Sequence, residues 1–154
     1  MPNQKTLILI RHANALPGYA AGVNSDALRP LSPEGQQKAE KTAGQLAKLV
    51  LKPAKILTSP LLRAVQTAQV ISNALKSPVE KADELNGFLP DKEVVEFLLS
   101  QLEQTNVLAA VGHNPNISCV YHLLTKQVRP FSAGDFAVLT LDEKNTLQQV
   151  MFGE

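Results

Sequence analysis

The run Thr6-Leu7-Ile8-Leu9-Ile10-Arg11-His12 decides how the rest of the chain is read. A β-prone stretch with no polar alternation suits a strand buried on both faces, as in the interior of a parallel sheet. It stops abruptly at Arg11-His12, and Pro17-Gly18 then marks a loop that continues to Pro30. The pattern recurs downstream. Ala54 to Thr58 reads as a second short strand, ending at Ser59-Pro60-Leu61-Leu62-Arg63. Val107 to Val111 reads as a third, ending at Gly112-His113-Asn114-Pro115.

Helices are expected between these strands. Ser32-Pro33-Glu34-Gly35 is a helix start, with Ser32 as N-cap and Pro33 at the first helical position, where its missing N–H costs nothing. Ala39, Ala43, Leu46, Ala47 and Val50 then recur at helical spacing, predicting a helix to about Leu51, ahead of Pro53. Ser59-Pro60 repeats the start signal, and Leu61, Leu62, Val65, Ala68, Ile71 and Leu75 form one apolar face. Further on, the sequence predicts a short strand over Val79 to Ala82, a loop from Asp83 to Pro90, a helix capped by Asp91 and ending near Leu102, and a helix from Pro115 to about Leu124. Phe136 to Leu141 and Leu147 to Phe152 read as an antiparallel pair turning at Asp142 to Asn145. The alternation predicts an α/β fold: a three-layer sandwich, its sheet mainly parallel, with helices on both faces and one antiparallel edge strand. One domain over residues 1–154 is expected, with no repeat or linker.

Composition narrows the function. Fifteen basic and 14 acidic residues leave a net charge of +1, which argues against nucleic-acid binding through bulk charge. It leaves room for a small anion, which needs only a local positive pocket. A lone cysteine, Cys119, and three widely spaced histidines make no four-ligand metal site, and no cofactor is expected. No stretch reaches the ~18 apolar residues of a membrane span, and the apolar start is too short for a signal peptide, so a cytoplasmic protein is expected. His122 reads as structural, Cys119 as core, and Lys38, Lys41 and Lys48 as a solvated helix face.

The chemistry lies at the strand ends. In open α/β sheets, ligands bind in the crevice beyond the carboxyl ends of the strands. Arg11, His12, Arg63 and His113 would all converge there. Two helix starts, after Ser59 and after Asn114, would present free backbone N–H groups to the same crevice. Guanidinium groups, imidazoles and helix N-termini together suit a dianion with several oxygens, and phosphate fits arginine forks best.

These motifs resemble the histidine phosphatase superfamily, also called phosphoglycerate mutase-like. Leu9-Ile10-Arg11-His12-Ala13 is similar to the family's Arg-His-Gly, with Ala13 replacing glycine. Ser59-Pro60-Leu61-Leu62-Arg63-Ala64-Val65-Gln66-Thr67-Ala68 resembles its Ser-Pro-x-x-Arg-Ala-x-Gln-Thr-Ala, and Val111-Gly112-His113-Asn114-Pro115 its second histidine. Within the superfamily the chain resembles the short phosphohistidine phosphatases of the SixA type, through Leu28-Arg29-Pro30-Leu31-Ser32-Pro33-Glu34-Gly35. The resemblance implies His12 as the nucleophile that carries the phosphoryl group. It implies Arg11, Arg63 and His113 as ligands of the phosphoryl oxygens, with Arg29, Asn14 and Asn114 as further substrate contacts. It also implies a histidine-phosphorylated protein as partner, a phosphotransfer domain or phosphocarrier; a monomer is expected.

Many superfamily members add an acid that protonates the leaving oxygen. The candidates here lie in Asp83 to Asp91, and Glu84 is preferred. None stands in a clear acid motif. A phosphoramidate expels imidazole, a better leaving group than an alkoxide, so weak acid machinery favours a P–N substrate. The alternative is a small-molecule phosphomonoesterase on the same fold. A mutase needs an acid and a retained phosphoenzyme, and a catalytically dead phosphohistidine reader has no use for the nucleophile.

Overall fold

The computed structural model describes residues 4–154. Its centre is a six-stranded sheet built from β1 (Lys5–Arg11), β2 (Ile56–Thr58), β3 (Val79–Lys81), β4 (Val107–Gly112), β5 (Phe136–Leu141) and β6 (Leu147–Gly153), in the order β3-β2-β4-β1-β5-β6. The first four strands pair in parallel; β5 pairs antiparallel with both β1 and β6, which completes the mixed edge.

Both faces of the sheet are covered, which explains the unbroken apolar strands. Leu7 and Leu9 of β1 pack with Leu108 and Ala110 against α4 (Asp91–Leu102) and α5 (Asn116–Thr125), through Val94, Leu98, Leu102, Val120 and Tyr121. Ile8 and Ile10 point the other way. With Ile56, Ala109 and Val111 they pack against α2 (Pro33–Ala47) and α3 (Leu62–Leu75), through Ala43, Leu46, Ala64, Ala68 and Ile71. Each fully buried Leu or Ile contributes about 2 kcal/mol. The central strands are thus clamped from both sides, and they end in step. Arg11 is level with Gly112, and Thr58 with Val111. The chain beyond each strand therefore emerges at one level.

Several helix boundaries differ from the sequence reading. The helix α2 is capped by Ser32, whose hydroxyl accepts from Gly35 N at 3.0 Å, but it ends at Ala47. Lys48 caps it, and Val50 adopts a left-handed φ of 56°, where the chain breaks off before Pro53. The helix α3 begins at Leu62, because Ser59 and Pro60 are spent on a turn in which Leu61 N donates to the Ser59 hydroxyl. Asp91 is the first residue of α4 and Pro90 its cap, while α5 begins at Asn116 after a cis Asn114-Pro115 bond. The loop read from Pro17 to Pro30 holds the short α1 (Gly18–Ala21) and a 3-10 turn, Asp26–Leu28.

Lys38 is only partly exposed and lies 3.5 Å from Asp135, so it departs from the expected solvated face. Cys119 is half-buried beside a groove, and His122 is exposed. Among the described residues no helix is long and apolar enough to cross a membrane, and no group of three or more His, Cys, Asp or Glu is placed to hold a metal ion.

Candidate active site

At the shared carboxyl end of β1, β2 and β4 the backbone itself joins the motifs. His12 N donates to Gly112 O at 3.0 Å and Ser59 N to Val111 O at 3.0 Å. His12 and His113 consequently stand edge to face, with ring centroids 4.9 Å apart. The His12 Nδ1 lies 2.8 Å from its neighbour's carbonyl, Ala13 O. That contact requires a proton on Nδ1, which leaves Nε2 with its lone pair free.

Burial holds the His12 pKa down to about 4, opposed by the Ala13 hydrogen bond and reinforced by the charges of Arg63, Arg11 and Arg29. Desolvation is the larger cause, ahead of charge repulsion. His113 is likewise held to about 4, by burial first and then by His12 and Arg63, with Asp26 pulling the other way. Both imidazoles are therefore neutral near pH 7. His113 is buried, and its Nε2 lies 2.6 Å from the Ser59 hydroxyl. Gly87, at φ +99°, sits against the same ring; an added Cβ would lie 3.5 Å from its Cδ2.

Arg63 is 8% exposed and leaves α3 in its first turn. Its Nη1 donates to Asp26 O at 2.8 Å and its Nη2 to Asp26 Oδ2 at 3.0 Å. Arg29 donates from Nη1 to Asp26 Oδ1 and from Nε to Leu16 O, both at 2.9 Å. Asp26 thus bridges two arginines; the Arg29 hydrogen bond is the main cause holding its carboxyl below the usual range, partly offset by burial and aided by Arg63. Arg11 is anchored through Nη1 to Phe131 O at 2.8 Å. Burial lowers its pKa, and the charge of Asp135 opposes that shift.

Arg11, His12, Arg63 and His113 are brought together, since each of the two histidines feels both arginines. Arg29 reaches the same group, as one of the charges acting on His12. Asn114 faces structure: its Nδ2 donates to Phe131 O at 2.9 Å and its Oδ1 accepts from the Ser118 hydroxyl at 2.9 Å. Asn14 is exposed and contributes its backbone carbonyl, which accepts from Ser32 N at 2.9 Å. Glu84 is exposed and lines a depression with Asp83, Asn86, Phe88 and Leu89.

The segment from residue 7 to residue 88 matches the model of the histidine phosphatase superfamily, branch 1. This chain belongs to the histidine phosphatase superfamily. A relative from Picosynechococcus, an uncharacterised protein, is 34% identical over 116 residues, covering 72% of this chain and 67% of that one. Among solved structures, the fold is similar to the protein histidine phosphatase SixA complexed with tungstate (TM-score 0.83, 24% identity, covering 95% of this chain and 96% of that one). It is also similar to an Agrobacterium tumefaciens protein assigned as the phosphohistidine phosphatase SixA (0.80, 25%, 96% and 97%). A mycobacterial glucosyl-3-phosphoglycerate phosphatase is more distant (0.71, 15%, 97% and 97%). Membership of the superfamily implies phosphatase chemistry.

As a histidine phosphatase, the chain has supporting residues that the motif reading passed over. Thr67 accepts from Ala13 N at 3.1 Å and donates to Arg63 O at 2.8 Å, and Gln66 accepts from Leu31 N at 2.8 Å. The Gln-Thr pair of the second motif therefore ties the loop after His12 to α3. Ser59 and Asp26 were also missed. Ser59 stood in a strand end, a helix start and the second motif without a role of its own, and Asp26 lies in a loop where an isolated carboxylate reads as solvated.

Proposed function

We propose that this chain hydrolyses protein-bound N-phosphohistidine through a phosphoryl group carried on His12 Nε2. The observation that carries the reading is the 2.8 Å contact from His12 Nδ1 to Ala13 O, which leaves Nε2 unprotonated in a ring that feels the charges of Arg63 and Arg11 and stands 4.9 Å from the His113 ring. In the first step the Nε2–P bond forms, the substrate's P–N bond breaks, and the departing imidazole keeps the electron pair and takes up a proton. Water then attacks phosphorus, the P–Nε2 bond breaks, and inorganic phosphate leaves with His12 restored. Arg11 and Arg63 neutralise the equatorial oxygens, and Arg29 adds charge from the rim; such positioning supplies most of the catalysis in phosphoryl transfer. In neutral His113, a Ser59 hydroxyl donating to Nε2 leaves the ring proton on Nδ1, available to a phosphoryl oxygen.

The proposal extends to a single catalytic domain over residues 1–154, acting in the cytoplasm on a phosphotransfer or phosphocarrier protein. Glu84 is exposed and makes no hydrogen bond or ion pair to either histidine, which supports a leaving group that needs little proton donation. The second reading, a small-molecule phosphomonoesterase, is supported by the fold's likeness to the glucosyl-3-phosphoglycerate phosphatase. Turnover on a histidine-phosphorylated carrier protein, compared with sugar and nucleotide phosphates, separates the two. The first reading expects the P–N substrate to dominate kcat/KM, and a wide margin for the esters overturns it.

A further inference from the structure

Asp26 belongs to no motif of the sequence, yet it touches both arginines that flank the two histidines. Its carboxylate gives Oδ2 to Arg63 Nη2 at 3.0 Å and Oδ1 to Arg29 Nη1 at 2.9 Å, while its backbone carbonyl takes Arg63 Nη1 at 2.8 Å. The 3-10 turn that carries it packs on α3, the helix that carries Arg63. We infer that Asp26 is a positioning residue, which fixes the distance and orientation between the Arg63 and Arg29 guanidinium groups before the phosphoryl group arrives. The inference rests on the phosphatase reading above.

A long arginine side chain loses considerable rotamer freedom when it is ordered. A site that orders its arginines in advance does not bear that cost during the reaction. Two neighbouring guanidinium groups also repel each other, and a shared carboxylate offsets that repulsion. The bonds to Asp26 use one N–H of each Nη of Arg63, so Nε and the second N–H groups remain free for phosphoryl oxygens. Asp26 is not the missing proton donor, because two arginines hold it ionised and both its oxygens already accept hydrogen bonds.

A rival role has the opposite sign. If the carboxylate merely sat in the anion site and competed with phosphate, its removal would tighten anion binding. The test is the full-length protein with Asp26→Ala and Asp26→Asn, titrated with orthovanadate and with inorganic phosphate, and assayed on a histidine-phosphorylated carrier protein. With its side chain 62% exposed, Asp26 can be replaced without opening the core. Asp26→Ala is expected to weaken vanadate and lower kcat by about tenfold, the effect of one charge-assisted hydrogen bond, with little change in KM. Asp26→Asn, which keeps one acceptor oxygen, should fall in between. In an Arg29→Ala, Arg63→Ala background the Asp26→Ala change should have no further effect. Unchanged or tighter vanadate and phosphate binding in Asp26→Ala overturns the positioning role. Failure of the unaltered protein to bind vanadate and to turn over any phosphoryl substrate overturns the phosphatase reading itself, which keeps the two failures apart.

Discussion

The site has two halves that are held in different ways. On one side, Arg11, His12, Ser59 and His113 extend directly from strands packed between two layers of helices, and their positions are fixed by main-chain bonds such as His12 N to Gly112 O at 3.0 Å. On the other side, Arg29 lies on the long segment between β1 and α2, secured by Leu16 O and an exposed carboxylate. Arg63 joins the halves: its backbone is anchored in α3, and its guanidinium is oriented from the loop. The difference teaches that the two histidines sit where main-chain bonds between strands hold them, while part of the positive charge beside them rests on side-chain bonds made by a loop.

The comparison can be broken at several points. The largest effect belongs to the rigid half. His12→Ala should abolish turnover and acid-labile labelling of the protein by radioactive phosphate, while equilibrium titration still finds phosphate binding through the arginines. Near-normal activity would remove His12 as nucleophile. At the junction, Arg63→Ala should lower kcat/KM by on the order of a hundredfold, about 3 kcal/mol of lost charge stabilisation. A loss below tenfold in steady-state assays would place Arg63 outside the reacting group. Ser59→Ala leaves the buried His113 Nε2 without its 2.6 Å partner, and should cost about tenfold in kcat/KM. Alongside the Asp26 variants, Arg29→Ala tests the loop half; its loss should be only a few-fold and should appear mainly in KM, since a partly exposed charge is screened by solvent and contributes chiefly attraction.

Acid pH tests the rigid half without mutation, and with the smallest effect near neutrality. His12 and His113 titrate near 4 in the folded chain against an ordinary 6.5, so between those values the unfolded chain binds more protons. Stability should therefore be full above pH 6.5 and decline as pH falls toward 4. Over the same range kcat/KM should keep its His12-dependent value, because the nucleophile stays neutral; imidazole NMR shifts followed against pH would report both rings. A midpoint near 6.5 for His12 would show that the ring is not desolvated.

The sequence made the rigid half readable and hid most of the other. Leu7 to Ile10 is apolar without alternation because two helical layers cover it, so strand, burial and the exposed end at Arg11-His12 could be inferred together. The Ser59 to Ala68 block was recognised as a motif, but the work of Gln66 and Thr67 as ties to Leu31 and Ala13 depends on partners 35 and 54 residues away, which local spacing does not reveal. Asp26 was invisible for the same reason: its partner Arg63 is 37 residues off. Helix ends failed where chain reversal overrode periodicity, as at Val50. His122, read as structural from its apolar neighbours, is exposed on α5, with Nδ1 3.2 Å from Gln127 O. Gly35 shows the reverse case. It was read as part of a helix start, yet a Cβ there would land on the Asn14 carbonyl oxygen, so glycine is what allows α2 to press against the chain just beyond His12.

The Thr67 hydroxyl has one last consequence. By taking a hydrogen bond from the chain beside the nucleophile and giving one to the residue that bears the clamp, it makes a single oxygen the hinge pin between them. A displacement of α3 would therefore carry the loop after His12 and Arg63 along together, leaving the spacing between them unchanged.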